Sequence, residues 1–117
     1  MTAPLVGRLR AQLRTAMNAR DRDLVAALRS TLSAIDNASS EGVEAPRAGA
    51  IEASAAGAGA AEAPRRELTE EDIEALVRSE IAEREAAAVA LETAGQTERA
   101  GVMREVTARL VAAIRPE

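Results

Sequence analysis

The fold is decided by residues 68–95, which read LTEEDIEALVRSEIAEREAAAVALETAG. Thr69 suits an N-cap, and Asp72 stands three residues on, where a capping box places its second partner. Gly95 suits the left-handed conformation that often follows the last turn of a helix. These signals predict a helix from Thr69 to Ala94, and the other segments are expected to pack against its apolar face.

One face of this predicted helix is apolar but carries two charges. At about 100° per residue, a single stripe contains Ile73, Leu76, Val77, Ile81, Ala87, Ala88 and Leu91. Glu80 and Arg84 project from the middle of that stripe. A charge in such a position has to be paired, held at an interface or used in function.

Amphipathic patterns predict three further helices. The stripe of the first is Leu5, Leu9, Leu13 and Ala16, that of the second is Leu24, Leu28, Leu32 and Ile35, and that of the last is Val102, Val106, Leu110, Ala113 and Ile114. Pro4 suits the first turn of the first helix, and Asp21 suits the N-cap of the second. Because short connections join neighbouring helices, we predict an all-α fold, a four-helix arrangement of two antiparallel helical hairpins.

A segment of different composition separates the two hairpins. The chain of 117 residues predicts one domain, with the first hairpin at residues 4–38 and the second at 68–115. Residues 39–66 are mainly Ala, Gly, Ser, Glu and Pro, and Val43 and Ile51 are their only large apolar residues. This composition is typical of a flexible linker, and the alternative is a segment that folds on binding a partner.

The composition excludes much of enzyme chemistry. The chain has no aromatic residue, Cys, His or Lys, so all 15 basic residues are Arg. Disulfides, Cys/His zinc sites, histidine acid–base chemistry and lysine Schiff bases are therefore excluded. Carboxylates would need a cleft, and short Ala-rich helices are expected to leave little cavity volume. We predict no catalytic residue, no metal site and no cofactor.

The acidic residues around 70–74 have a structural interpretation. Glu70, Glu71, Asp72 and Glu74 surround the start of a predicted helix, where negative charge is favoured by the helix dipole. We prefer this interpretation to a metal cluster. No apolar run approaches the roughly 20 residues that span a bilayer, and the N-terminus lacks the apolar core of a secretory signal. The sequence therefore predicts a cytoplasmic protein without a membrane segment.

Charge differs between the two predicted hairpins. Residues 1–38 carry six arginines and three acids, whereas residues 67–117 carry six arginines and twelve acids. The simplest interpretation is mutual attraction between a basic and an acidic hairpin. The alternative is a nucleic-acid surface formed by Arg8, Arg10, Arg14 and Arg22, although the chain has no aromatic residue on which bases could stack.

Six short motifs together resemble a known family. They are AMNARD at 16–21, LR at 28–29, AIDNA at 34–38, RELTEEDI at 66–73, EIAERE at 80–85 and AG at 94–95. In order and spacing they are similar to the GatB/YqeY family, over about residues 9 to 105 apart from the linker. One departure is Gln96, where members of that family commonly have Arg after the glycine.

The resemblance implies a helical domain like the one near the C-terminus of the B subunit of the glutamine-dependent tRNA amidotransferase. That domain also occurs as the free-standing YqeY-like protein. Longer members continue into a smaller C-terminal helical domain associated with tRNA contact, so we expect this chain to match the N-terminal helical domain alone. The family label, carbon–nitrogen ligase activity with glutamine as amido-N-donor, applies by resemblance only, because these residues offer no means of performing that reaction.

Five charged residues form the predicted structural or interaction network. They are Arg20, Arg29, Glu80, Arg84 and Glu105. We expect a semi-buried ion network that aligns the hairpins, with a partner-binding notch or catalysis by Glu80 as alternatives. The leading functional hypothesis is a non-catalytic accessory or protein-interaction domain connected with tRNA-dependent amidation. A tRNA-binding or other nucleic-acid-binding accessory and a helical homo-oligomer are the competing hypotheses.

Overall fold

Four α-helices account for the fold. The computed structural model describes residues 4–41 and 67–115, and over these ranges it contains α1 (Leu5–Asn18), α2 (Arg22–Glu41), α3 (Glu70–Thr93) and α4 (Thr97–Ile114), with no strand. The predicted all-α class is confirmed. Helix α2 extends through residues 39–41, which we had assigned to the linker, and residues 42–66 lie outside the described residues. Among the described helices, none is long and apolar enough to cross a membrane.

The ends of α3 follow the sequence signals. The Thr69 hydroxyl accepts a hydrogen bond from the backbone N–H of Asp72 at 3.0 Å, and the Asp72 carboxylate accepts one from the N–H of Thr69 at 3.0 Å. This reciprocal pair is the predicted capping box. At the other end Gly95 has a φ of 83°, which confirms the predicted left-handed residue.

Both hairpins close with the same backbone hydrogen bonds. After α3, the N–H of Gln96 donates to the carbonyl of Leu91 at 2.8 Å, and the N–H of Gly95 donates to the carbonyl of Glu92 at 3.0 Å. After α1, the N–H of Asp21 donates to the carbonyl of Ala16 at 2.9 Å, and the N–H of Arg20 donates to the carbonyl of Met17 at 3.1 Å. This pairing is the Schellman motif, which satisfies carbonyls that the helix leaves free. The motif needs one left-handed residue in each turn.

Arg20 is that left-handed residue in the first hairpin. Its φ is 59°, and it is the only residue other than glycine with a positive φ in the described part of the chain. We had expected Arg20 to belong to a semi-buried ion network. Helix α1 instead ends at Asn18, so the Arg20 side chain is exposed. A side chain in this conformation is strained, because its Cβ crowds the neighbouring carbonyl oxygen.

The core joins all four helices. Its largest fully buried apolar side chains are Leu9, Leu28, Val77 and Leu110, one from each helix. The stripes predicted for α1, α2 and α3 all lie at least half-buried. Helix α4 differs: Val102 is 46 % exposed, whereas Ala100 and Thr107 are buried. Thr107 tolerates burial because its hydroxyl donates to the Met103 carbonyl at 2.7 Å.

Polar contacts fix how the hairpins meet. The N–H of Leu5, at the start of α1, donates to the Glu70 carboxylate at 2.7 Å. Pro4 provides no side-chain cap, so a residue 65 positions away supplies the acceptor that α1 lacks locally. Asp21 binds Arg109 of α4 while also accepting a 3.4 Å hydrogen bond from the N–H of Leu24 as the predicted cap of α2.

Two glycines allow a direct test of the second turn. Gly95→Ala should lower the free energy of unfolding by about 1 kcal/mol, because alanine is strained at positive φ. Gly101 lies inside α4, and a Cβ there meets no atom within 4 Å. Gly101→Ala should therefore raise stability, by up to about 1 kcal/mol. Urea denaturation of both variants checks this, and a stabilising Gly95→Ala would contradict the assigned turn.

Glu70 provides a test of the contact between the hairpins. Glu70→Ala should cost about 1 kcal/mol, the usual effect of losing a capping acceptor. Glu71→Ala is the matched control, because it removes a neighbouring charge from the same first turn of α3. The difference between the two variants in free energy of unfolding, measured by denaturation, gives the contribution of the hydrogen bond from Leu5. Equal losses would show that both residues act only through the dipole of α3.

Candidate functional site

A groove opens where α2, α3 and α4 meet. We call it the central groove; its volume is about 500 Å³. Its apolar lining includes Leu91 of α3 and Val102, Met103 and Val106 of α4, while α2 contributes the small Ala26. The expectation of little cavity volume is wrong here, because an alanine lies where a longer side chain would fill the space between the helices.

Arg84 lies in the central groove, and no carboxylate of the described residues pairs with it. The residue is half-buried, and its Nη1 group contacts the Met103 sulfur at 4.0 Å, at most a weak hydrogen bond. The Nε–H of Arg84 is buried and has no hydrogen-bond acceptor among the described residues. A buried polar group without an acceptor is costly. The four Nη N–H donors of Arg84 remain for an occupant of the groove that the residue lines.

Charged side chains of both signs surround this groove. Asp23 comes from the first turn of α2, whereas Glu98 and Arg99 come from the first turn of α4. Arg99 donates to the Gln96 amide oxygen at 2.9 Å, which keeps it near the turn between α3 and α4. A ligand along the groove would meet acidic and basic groups on its rim, so its charges would determine its orientation.

The five residues of the predicted network do not form one cluster. Glu80 is half-buried and accepts a hydrogen bond from the Ser30 hydroxyl at 3.4 Å, which connects α3 to α2. Arg29 is exposed, with its Nη2 group 3.9 Å from the Met17 sulfur. Glu105 is also exposed. Within residues 4–41 and 67–115, no ion pair joins any two of Arg20, Arg29, Glu80, Arg84 and Glu105.

Two of these residues belong to a second cavity. Arg20, Arg22 and Arg29 surround a space of about 480 Å³ beside Met17, Val25 and Ala26. We call it the arginine cavity; it lies on the first hairpin and shares Ala26 with the central groove. None of its three arginines forms an ion pair in the part of the chain that the structure describes.

The four arginines of the nucleic-acid hypothesis do not share one site. Arg8 donates to the backbone carbonyl of Ile114 at 3.1 Å and so connects α1 to the end of α4. Arg10 lines a different cavity, which also contains Asp36 and Glu67. Arg14 and Arg22 are exposed, and of the four only Arg22 lines the arginine cavity.

Sequence reasoning missed the residues that make these two sites. Val102 was assigned to the core stripe of α4, and neither Met17 nor Met103 was among the predicted site residues. The 46 % exposure of Met17 and Val102 depends on how the helices rotate against each other, which no local pattern encodes. One signal was available in the sequence. Arg20 lies between the first and second predicted helices, at the position that Gly95 takes between the third and fourth.

The acids at the start of α3 do not form a metal centre. Over the described ranges, no three carboxylates come close enough to hold a metal ion. Glu70 contacts Leu5, and Asp72 completes the capping box. Asp72 thus serves the N-terminus of its own helix, whereas Glu70 serves that of α1.

Glu92 carries a shifted pKa at the edge of the second hairpin. Arg104 lowers the pKa of Glu92 below its ordinary value of 4.5, first through a 2.7 Å hydrogen bond and second through its charge. The same contact raises the pKa of Arg104. The pair joins α3 to α4, and both side chains are about half exposed, at 51 % for Glu92 and 45 % for Arg104. Its contribution is therefore small and screened by salt.

The pH dependence of stability follows from this lowered pKa. Because the unfolded chain takes up the proton first, the contribution of Glu92 is complete above pH 4.5 and is lost as the pH falls through the lower folded value. Glu92→Gln should therefore make stability fall less steeply below pH 4.5. Thermal unfolding across an acid series measures this, with Glu83→Gln, an exposed glutamate of the same helix, as control. Identical slopes in all three proteins would contradict the assignment.

Comparison with known proteins identifies no relative: no protein-family model, no curated protein and no solved structure matches the chain.

Proposed function

We propose that this chain is a non-catalytic accessory domain that binds a protein partner through the central groove. The observation that carries the proposal is Arg84, a half-buried guanidinium beside apolar side chains with an N–H that lacks an acceptor in the described residues. Interfaces commonly combine a buried arginine with an apolar surrounding. On this proposal the predicted partner-binding notch corresponds to the central groove.

The chemistry of the groove specifies the partner segment. Leu91, Val102 and Met103 favour an apolar helix, because they form a groove that a hydrophobic face can fill. Arg84 favours a carboxylate in the middle of that face, which would accept hydrogen bonds from its Nη N–H groups. A helical segment with apolar residues and one central acid therefore fits both features.

We also propose that the domain is YqeY-like, cytoplasmic and connected with tRNA-dependent amidation. The support is the series of six motifs between residues 16 and 95 and their spacing. On this proposal the amidotransferase chemistry belongs to a partner. Glutamine-dependent amide transfer or ATP turnover by the purified chain, lost on Glu80→Ala or Arg84→Ala, would overturn the non-catalytic assignment.

A nucleic-acid accessory is the second candidate. This candidate is favoured by Arg14 and Arg22, which are exposed and form no ion pair in the described ranges. The contact of Arg8 with Ile114 counts against it, because it reduces the basic surface. Salt-dependent tRNA binding that weakens on Arg14→Gln and Arg22→Gln would support this candidate. A homo-oligomer is the third, and sedimentation over a dilution series distinguishes it.

Two exposed valines provide the test of the groove. Val102 lies in the central groove at 46 % exposure, and Val89 lies on α3 outside it at 56 % exposure. Val102→Glu should abolish capture of the physiological partner from source cells, because it places a charge in the apolar groove. Val89→Glu should leave capture unchanged. The readout is quantitative mass spectrometry, followed by calorimetry with the purified partner.

Arg84→Met is the complementary variant. It keeps much of the side chain's length and removes the charge, so it should preserve the fold. Its affinity for the purified partner should fall about tenfold or more, as expected for a lost charge-assisted hydrogen bond. If the wild-type chain and both variants, Val102→Glu and Arg84→Met, bind the partner with equal affinity, the groove is not the binding surface.

A further inference from the structure

Three arginines line the arginine cavity, and no carboxylate of the described residues lines it with them. Arg20, Arg22 and Arg29 line it, and the described residues provide no ion pair for any of them. The acids nearest in sequence are directed elsewhere, because Asp21 binds Arg109 and Asp23 lines the central groove. Three arginines along one cavity make its surface electropositive, which favours an anion there. The cavity is therefore suited to an anion.

The backbone at Arg20 provides an independent observation. The two hairpins close with the same hydrogen bonds, yet the second uses Gly95 at the left-handed position and the first uses Arg20. Glycine would take this conformation without strain. A side chain retained at a strained position is a reason to look for function. Here the strained residue is one of the three that line the cavity.

The remaining surface of the cavity is apolar. Met17 is 46 % exposed, Val25 is half-buried, and both lie beside the small Ala26. Arg29 rests its Nη2 group against the Met17 sulfur at 3.9 Å, a weak contact that leaves its other N–H donors available. The space of about 480 Å³ exceeds what a phosphate group alone would fill.

We propose that the arginine cavity binds a small phosphate monoester whose organic part is apolar. Guanidinium groups form paired, charge-assisted hydrogen bonds with phosphate oxygens, which assigns the phosphate to Arg20, Arg22 and Arg29. Met17, Val25 and Ala26 take the organic part. This site is separate from the protein-binding function proposed for the central groove and does not depend on it.

Phenyl phosphate and inorganic phosphate are the probes for this site. In calorimetric titrations of the full chain at low salt, phenyl phosphate should bind more tightly, because only it reaches the apolar surface. Arg29→Gln and Arg20→Gly should each weaken phenyl phosphate about tenfold or more. Arg20→Gly should do so without lowering the melting temperature, since glycine removes strain at that position.

Arg78→Gln is the matched control, because Arg78 is an exposed arginine of α3 outside the cavity. Its affinity for phenyl phosphate should equal that of the wild-type chain, and amide shifts in the NMR spectrum should centre on residues 17–29. Equal weakening by Arg78→Gln, or shifts centred elsewhere, would overturn the proposal. Equal affinity for the two probes, or binding of tRNA without binding of phenyl phosphate, would overturn it as well.

Discussion

The structure depends on one constraint: a single core is shared by both hairpins. The chain has no aromatic side chain, and among the described residues the largest fully buried apolar side chains are Leu9, Leu28, Val77 and Leu110, each from a different helix. Apolar burial is the main favourable term in folding, so the two hairpins have to meet before this core is complete. The polar contacts at Glu70 and at Asp21 lie around this shared core and select one way of aligning the hairpins.

Local chemistry was readable from the sequence, whereas contacts between distant segments were not. The capping box of Thr69 and Asp72, the left-handed Gly95 and the apolar stripes depend on neighbours within one or two turns, so their patterns predict them. The contact of Glu70 with Leu5 and the exposure of Val102 depend on helix packing across the chain. For the same reason Glu80 and Arg84 were recognised as unusual, but the Ser30 and Met103 contacts that surround them were not.

The two sites place positive charge on apolar surface in different ways. In the central groove Arg84 is half-buried near Met103, and acids and a second arginine share the rim. In the arginine cavity the charges are exposed and all of one sign. Solvent lowers the cost of the second arrangement, while the first leaves a donor in a less hydrated place. The two surfaces meet at Ala26, so one face of α2 contributes to both.

Glu70 stands at the first turn of α3, and its carboxylate accepts a hydrogen bond from the first amide of α1. The start of α1 therefore depends on a group whose position the other hairpin fixes. Local opening of the second hairpin removes the acceptor of the Leu5 N–H, and opening of the first removes the donor that contacts the Glu70 carboxylate. A contact shared in this way couples the two opening reactions, which makes the hairpins members of a single cooperative unit rather than two independently fluctuating halves.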